Sequence, residues 1–167
     1  KVLVDKFDNE IVQSLVGETY FELSQKLKEI LRVPSNLYIW QQLEPSEKND
    51  GCRTTSNLIE KWYDQLKRNC RTFNISEKSI IETNDKIVTN MEKMGKLFVH
   101  KSIINSEETC LDYLKSAGLI TIIENKVSYT HQSFLDCFIS KRMLIQYYNE
   151  MTIEELDLSV RSYNCLK

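Results

Sequence analysis

The sequence is poor in the residues that break helices and form turns. Its 167 residues include four glycines and two prolines, although average usage of about 7% and 5% would give several times as many. So few turn-forming residues favour long helices and argue against a β-sandwich or a loop-rich scaffold. Apolar residues make up 41% and charged residues 28%, an ordinary globular mixture. We therefore expect a mainly α-helical protein.

Long apolar runs are also absent. No run approaches the roughly 18 residues that a membrane-spanning helix requires, so we expect no membrane partner. The sequence opens with Lys1 rather than an initiator methionine, and no signal-peptide pattern follows. We expect it to be a piece of a longer protein.

Metal-ligating residues are few and scattered. The five cysteines form no CxxC pair, and the only histidines are His100 and His131. A zinc site needs closely spaced thiolate or imidazole ligands, so no metal site is predicted. Cys110 and Cys137 lie in stretches with helical apolar spacing, which favours buried, reduced thiols. Such thiols indicate a reducing compartment, and we expect a cytoplasmic protein.

Catalytic motifs are missing as well. With two histidines and no nucleophile elbow, the sequence offers no combination of nucleophile, base and orienting acid. The four glycines are too far apart to form a GxxxxGK[ST] phosphate-binding loop. We therefore predict that this chain alone is not an enzyme and has no catalytic residues.

Helical apolar spacing dominates the pattern that is present. Asp8 and Ser76 are predicted N-caps, and Gly95 and Gly118 are predicted to end helices. Pro34 ends one helix and can serve as the first residue of the next. The predicted elements are a short strand at 1–4, helices near 8–16, 22–31, 35–43, 54–70, 76–94, 106–117 and 131–149, a short apolar run at 97–100, a β-hairpin at 119–130 and a short acidic helix from 152.

The order of the elements after residue 76 is typical of a winged-helix module: a helix, a short strand, a second helix and a β-hairpin. We expect a mainly α fold in which a helical layer precedes this module. The helix from His131 is expected to pack beneath the wing. Its predicted core face consists of Phe134, Leu135, Phe138, Ile139, Ile145 and Tyr148.

The charge of the predicted recognition helix argues against DNA binding. Winged-helix modules commonly place such a helix in the major groove. Here residues 106–117 carry Glu107, Glu108 and Asp112 against the single base Lys115. Phosphate contacts dominate affinity for nucleic acid, so an acidic helix is poorly suited to the task.

Basic residues elsewhere do not change this expectation. Residues 51–102 contain ten basic and six acidic residues, with a basic cluster at 67–71. A solvated helix face is the plainer interpretation of that cluster. At the tip of the predicted wing, Glu124 and Lys126 cancel. We therefore do not expect nucleic acid to be a partner.

Two short motifs give the sequence a resemblance to the NACHT type of signal-transduction (STAND) ATPases. Residues 129–144, YTHQSFLDCFISKRML, resemble the family's winged-helix signature, in which an aromatic strand residue leads into His-x-Ser-Phe. Residues 31–40, LRVPSNLYIW, resemble the family's helical lid, in which a proline follows the ATPase core. The motifs occur in the family's order and span most of residues 1–150.

The resemblance implies a domain organisation and a nucleotide. Residues 1–50 would be the end of a nucleotide-binding domain and its helical lid, 51–77 a connecting helix, 78–150 the winged-helix domain, and 151–167 the start of a following helical region. In the family the lid proline touches adenine and the winged-helix histidine reaches a phosphate of bound ADP. The matching positions are Pro34 and His131, and the implied cofactor is ADP or ATP, bound in the full-length parent.

Two hypotheses on function follow. The first is a non-catalytic regulatory segment of a STAND ATPase that senses bound ADP or ATP and switches conformation for oligomerisation in bacterial defence signalling. Its partners would be the rest of the parent ATPase and further copies of that parent. The alternative is a winged-helix adaptor module that binds protein or nucleic acid without nucleotide. A phosphate-binding loop upstream of Lys1 would favour the first.

Overall fold

The structure, a computed structural model, describes residues 6–48, 51–106 and 108–150. It is mainly helical with one small antiparallel sheet, which confirms the expected fold class. The helices and strands are α1 (Asn9–Val16), α2 (Gln25–Leu31), α3 (Pro34–Gln42), α4 (Thr55–Asn69), α5 (Glu77–Met94), β1 (Val99–His100), α6 (Lys101–Ile104), α7 (Glu108–Ser116), β2 (Ile120–Ile123), β3 (Lys126–Tyr129) and α8 (Gln132–Glu150), with 3-10 turns at Gly17–Glu22, Pro45–Glu47 and Cys70–Phe73.

Helices α1 to α4 form the first layer, and local chemistry fixes where they meet. Val33 is extended and Pro34 is the first residue of α3, as expected for a residue before proline and for proline itself. The buried Asn36 side chain donates from Nδ2 to the Ile30 carbonyl at 2.9 Å and to the Thr55 hydroxyl at 3.2 Å. This one amide therefore ties α3 to the end of α2 and the start of α4.

Helix α5 and the elements that follow it form a winged helix. Ser76 caps α5 by accepting from the Ser79 N–H at 3.0 Å, and Gly95 ends it with a left-handed φ of 60°. Strand β3 lies between β1 and β2, antiparallel to both. The β2–β3 turn consists of Glu124 and Asn125, which both have positive φ, as two-residue hairpin turns of type I′ require.

One hydrophobic core joins the helical layer to the winged helix. The indole of Trp62 on α4 stacks on Phe134 of α8, with ring centroids 5.3 Å apart. The Tyr113 hydroxyl of α7 donates to the Leu66 carbonyl of α4 at 2.7 Å. Helix α8 also packs against β3 and α5, as expected for a helix beneath the wing.

Several element predictions need correction. The helix predicted near 22–31 is divided into a 3-10 turn and α2, because Leu23 and Ser24 are extended. The helix expected from Ser106 begins at Glu108, and the short α6 before it was not predicted. The strand at 1–4 and the helix from 152 lie outside the described residues.

The predicted core face of α8 is half right. Phe134, Leu135 and Phe138 are buried, whereas Ile145 and Tyr148 are exposed. The same apolar pattern continues into the second half of α8, but there it is exposed to solvent. The predicted burial of Cys110 and Cys137 is confirmed.

Candidate nucleic-acid interface

His131 lies directly before α8, as its position in the sequence indicated. Its backbone carbonyl accepts from the Phe134 N–H at 3.1 Å, which closes the first turn of the helix. The imidazole is exposed, and it makes no hydrogen bond within the described part of the protein. In this structure His131 is therefore a residue that starts a helix.

Pro34 begins α3 and is half-buried between the helices of the first layer. Nothing in the described contacts brings Pro34 and His131 to one site. Within residues 6–48, 51–106 and 108–150, no group of three His, Cys, Asp or Glu side chains is placed to hold a metal ion. In the same ranges, no helix is long and apolar enough to cross a membrane.

Helix α7 occupies the position of a recognition helix, and its surface is acidic. Glu108 and Asp112 are exposed beside Lys115. The opposite face packs into the core through Cys110, Leu111 and Leu114. Direct phosphate contact by α7 would bring carboxylates against phosphates, so this helix is not a candidate DNA contact.

A different surface of the winged helix combines two cations with an exposed aromatic ring. The Nζ atoms of Lys96 and Lys126 lie 5.8 Å and 5.4 Å from the centroid of the Phe98 ring. Phe98 itself is 39% exposed. We call Lys96, Phe98 and Lys126 the wing cluster. Both its cations and its aromatic ring are groups that can contact nucleic acids.

Backbone geometry places the wing cluster at one edge of the sheet. The left-handed Gly95 turns the backbone after α5, and the Lys96 N–H donates to the Met91 carbonyl at 3.1 Å. Strand β1 then pairs with β3 in a register that sets His100 opposite Lys126. The Lys101 N–H also donates to the Asn125 carbonyl at 2.7 Å. These bonds hold the segment before β1 close to the start of β3.

Electrostatic pairing leaves the wing cluster positive. Lys126 has one acidic neighbour, Glu124, at 4.0 Å, which is at the outer limit of an ion pair. Lys96 has no carboxylate partner within the described part of the protein. At the β1 end of the same edge, Lys101 is paired with Glu108 of α7.

The basic cluster at 67–71 on α4 has a different environment. Lys67 pairs with Asp64 at 2.7 Å and Arg68 with Glu47 at 2.8 Å. Arg71 lies 3.4 Å from Glu77. Each cation therefore has a carboxylate partner, so the interpretation of this cluster as a solvated helix face holds.

Sequence reasoning missed the wing cluster for a simple reason. Lys96 and Phe98 are separated from Lys126 by 28 residues or more, and the three residues meet only through the pairing of β1 with β3. A sequence-level signal exists in the alternation Lys96-Leu-Phe-Val-His-Lys101, which mixes bases with apolar residues before the predicted hairpin. Counting charges at the wing tip hid this signal, because Glu124 and Lys126 cancel.

Comparison with known proteins links the sequence to transcription. A family model that describes the C-terminal domain of the bacterial RNA polymerase alpha subunit matches residues 141–167. Proteins named DNA-directed RNA polymerase subunit alpha from Clostridium botulinum strains Eklund 17B and Alaska E43 are each 30% identical to this protein over 120 residues, and one from Clostridium beijerinckii is 29% identical over 120 residues. These matches cover 72% of this sequence but only 36% of the length of each relative. No solved structure matches it.

The resemblance to NACHT-type STAND ATPases is therefore wrong, since the matches are to polymerase alpha subunits. The structure gives a physical reason for the misleading motifs. Pro34 suits the first position of a helix, and residues 129–134 supply a buried strand aromatic, a helix start and the core residue Phe134. A winged helix preceded by other helices requires such residues whatever its family.

The functional expectations that depended on that resemblance are wrong as well. These are the regulatory segment of an ATPase, the bacterial defence role, the ADP or ATP cofactor, and the ATPase parent and its oligomer as partners. The expectation that nucleic acid is not a partner is also wrong, because the relatives are subunits of a DNA-directed polymerase. That expectation depended on charge counts for one helix, for residues 51–102 and for the wing tip, without knowing which residues lie together in the fold.

The expectation that this chain is not itself an enzyme agrees with a match to the C-terminal domain of a polymerase subunit. The expectation that the parent protein is an ATPase does not agree with that match.

Proposed function

We propose that this protein binds duplex DNA as a relative of bacterial RNA polymerase alpha subunits. The observation that carries the proposal is the match of residues 141–167 to the C-terminal domain of the polymerase alpha subunit. The 30% identity over 120 residues to alpha subunits, of which it covers 36%, supports it. Its own role would be binding rather than catalysis, with other polymerase subunits as further partners and the bacterial cytoplasm as its location.

The wing cluster is the surface of the described residues that suits DNA best. Two ammonium groups can each contact a phosphate, and the exposed Phe98 ring offers an apolar surface to sugars or bases, as apolar side chains do in minor-groove binding. In this arrangement the wing, rather than the acidic α7, makes the phosphate contacts.

The domain division follows from the same proposal. Residues 78–150 would form the winged-helix unit, as the sequence suggested, with 51–77 as its connection to the helices at 1–50. The family match begins at residue 141, within α8. We call residues 141–167, which match that family model, the polymerase-like segment; it starts in α8, and the 120-residue match to alpha subunits extends beyond it.

A salt-dependent DNA titration tests the wing. Fluorescence anisotropy of a labelled duplex of mixed sequence would be measured with the 167-residue protein at about 50 and 200 mM salt. Removing one phosphate contact should weaken binding by roughly five- to tenfold and reduce the salt slope by about one. We expect this result for Lys96→Ala and for Lys126→Ala. Lys78→Ala is the matched control, because Lys78 is an exposed, ion-paired lysine at the start of α5.

A second variant separates the wing from the segment that carries the family match. Arg161 lies in that segment, outside the described residues. If Arg161→Ala weakens binding and the wing variants do not, the polymerase-like segment binds DNA without the wing. If the 167-residue protein shows no affinity for duplex DNA even at low salt, the proposed function is wrong.

A further inference from the structure

A cavity of about 230 Å³ opens between α4, α5 and α8, away from the wing cluster. Its apolar walls are Tyr63, Ile81, Phe138 and Ile145. The rings of Tyr63 and Phe138 meet edge to face, with centroids 5.0 Å apart. An apolar cavity of about 150 Å³ holds benzene in another protein, so this one has room for a substituted aromatic ring.

Most charges around the cavity neutralise one another. Lys67 pairs with Asp64 at 2.7 Å, and Lys141 pairs with Glu60 at 3.4 Å. Arg142 is directed to Glu92 and Thr89 on α5. The Asp85 carboxylate also lines the cavity, but no cation pairs with it within the described residues. Asp85 is an exposed residue, so it presents an acceptor without an ion-pair partner at the solvent side of the cavity.

Asn84, the residue before Asp85, offers a hydrogen-bond donor at the same site. Its side chain is only 4% exposed and lines the cavity. The Asn84 Oδ1 accepts from the Tyr129 hydroxyl at 2.7 Å, which fixes the orientation of the amide. The Nδ2 group makes no hydrogen bond to any described residue. This amide N–H therefore remains able to donate a hydrogen bond at the cavity surface.

The Tyr63 hydroxyl completes the polar set. It too makes no hydrogen bond within the described part of the protein. Burial, and then the nearby Asp85 charge, raises the pKa of Tyr63, so the hydroxyl keeps its proton at neutral pH. A protonated phenol can donate a hydrogen bond or accept one.

We propose that this cavity binds a small aminated heteroaromatic molecule. Its exocyclic amine donates to the Asp85 carboxylate, its ring nitrogen accepts from the Asn84 amide, and its ring lies against Tyr63 and Phe138. This combination of flat apolar walls and a few convergent polar groups is typical of small-molecule sites. The inference does not depend on DNA binding, and the cavity shares no residue with the wing cluster.

Two probes that differ by one amine test the proposal. Binding of 2-aminopyrimidine and of pyrimidine to the 167-residue protein would be followed by protein-observed NMR titration. We expect 2-aminopyrimidine to bind with a Kd of about a millimolar or lower, as suits seven heavy atoms. Pyrimidine should bind at least about tenfold more weakly, because it lacks the hydrogen bond to a charged acceptor.

Variants then assign the contact. Asp85→Ala should weaken 2-aminopyrimidine by about tenfold or more and should reduce the difference between the two probes. If Asp85→Ala does not fold, Tyr63→Phe gives a second measurement. The NMR shifts that 2-aminopyrimidine causes in this variant should be confined to residues that line the cavity. Asp112→Ala on α7 is the matched control, since Asp112 is exposed and lies outside the cavity.

Three outcomes would overturn the proposal. One is the absence of saturable shifts with 2-aminopyrimidine. The second is equal affinity for both probes, and the third is binding that Asp85→Ala leaves unchanged. DNA binding measured on the same variants keeps the two proposals separate, because Asp85→Ala should leave affinity for duplex DNA unchanged.

Discussion

The two halves of α8 have similar apolar content and opposite environments. In the first half, Phe134, Leu135 and Phe138 are buried. In the second half the apolar side chains that the structure describes are exposed; they are Met143, Leu144, Ile145, Tyr147 and Tyr148. The helix is continuous across both halves, so secondary structure does not explain the difference.

Packing partners explain it. The first half meets aromatic rings on three sides: Trp62 at 5.3 Å from Phe134, and Tyr63 and Tyr129 at 5.0 and 5.7 Å from Phe138. The exposed apolar residues of the second half occupy nearly consecutive positions, and consecutive positions point to different sides of a helix. The comparison shows that an apolar pattern predicts that a helix can be buried. The pattern does not predict which element covers the helix.

The segment that the family model matches begins at nearly the same point of α8. It begins at residue 141, just after the last half-buried core residue, Ile139. The first half of α8 therefore lies in the winged-helix core and before the segment that the family model matches. Predictions of stability can test this division, because identical substitutions are available in both halves.

The largest effect is expected in the first half. Leu135 is 6% exposed, and Leu135→Ala removes buried methyl groups and leaves a cavity. Such substitutions reduce the free energy of unfolding by about 2–5 kcal/mol. Urea unfolding followed by circular dichroism would measure the change. A loss below about 1 kcal/mol would mean that this half is less tightly packed than the structure shows.

A smaller effect is expected from the tyrosine that packs against the first half. Tyr129→Phe deletes the hydroxyl that donates to Asn84 at 2.7 Å. The loss leaves a buried acceptor without its partner and should cost about 1–3 kcal/mol. Tyr147→Phe in the exposed half is the matched control and should cost almost nothing.

The same tyrosine makes a pH prediction. Burial raises the pKa of Tyr129 well above 10, so the folded state favours the neutral phenol. Its contribution to stability is fully present below about pH 10 and is lost as the pH rises further, because the unfolded protein ionises first. Wild type should therefore lose stability more steeply above about pH 10 than Tyr129→Phe. Parallel losses in the two proteins would contradict this assignment.

Local signals in the sequence predicted much of the fold. Ser76, Gly95 and Pro34 fixed helix ends through capping, left-handed geometry and the restricted φ of proline, and the structure agrees at each. The order of elements after residue 76 correctly predicted a winged helix. These features depend on neighbours within a few residues, so a single sequence contains them.

Features that depend on distant residues were not predictable in the same way. The wing cluster exists because β1 pairs with β3, and the cavity exists because α4, α5 and α8 converge. The neutrality of the 67–71 cluster depends on Glu47 and Glu77, which no charge count assigns to it. His131 and Pro34 misled for the converse reason, since local structural requirements alone account for both residues.

The smallest effect is expected in the second half of α8, where Leu144→Ala repeats the substitution made at Leu135. Leu144 is 56% exposed, and alanine favours a helix at least as well as leucine. The free energy of unfolding should therefore change by less than about 0.5 kcal/mol. Urea unfolding of both variants under one set of conditions gives the comparison directly. If Leu144→Ala costs more than about 2 kcal/mol, the second half of α8 packs against other residues of the protein, and the division between the two halves fails. A change near zero, beside a large loss for Leu135→Ala, places the limit of the winged-helix core between these two leucines.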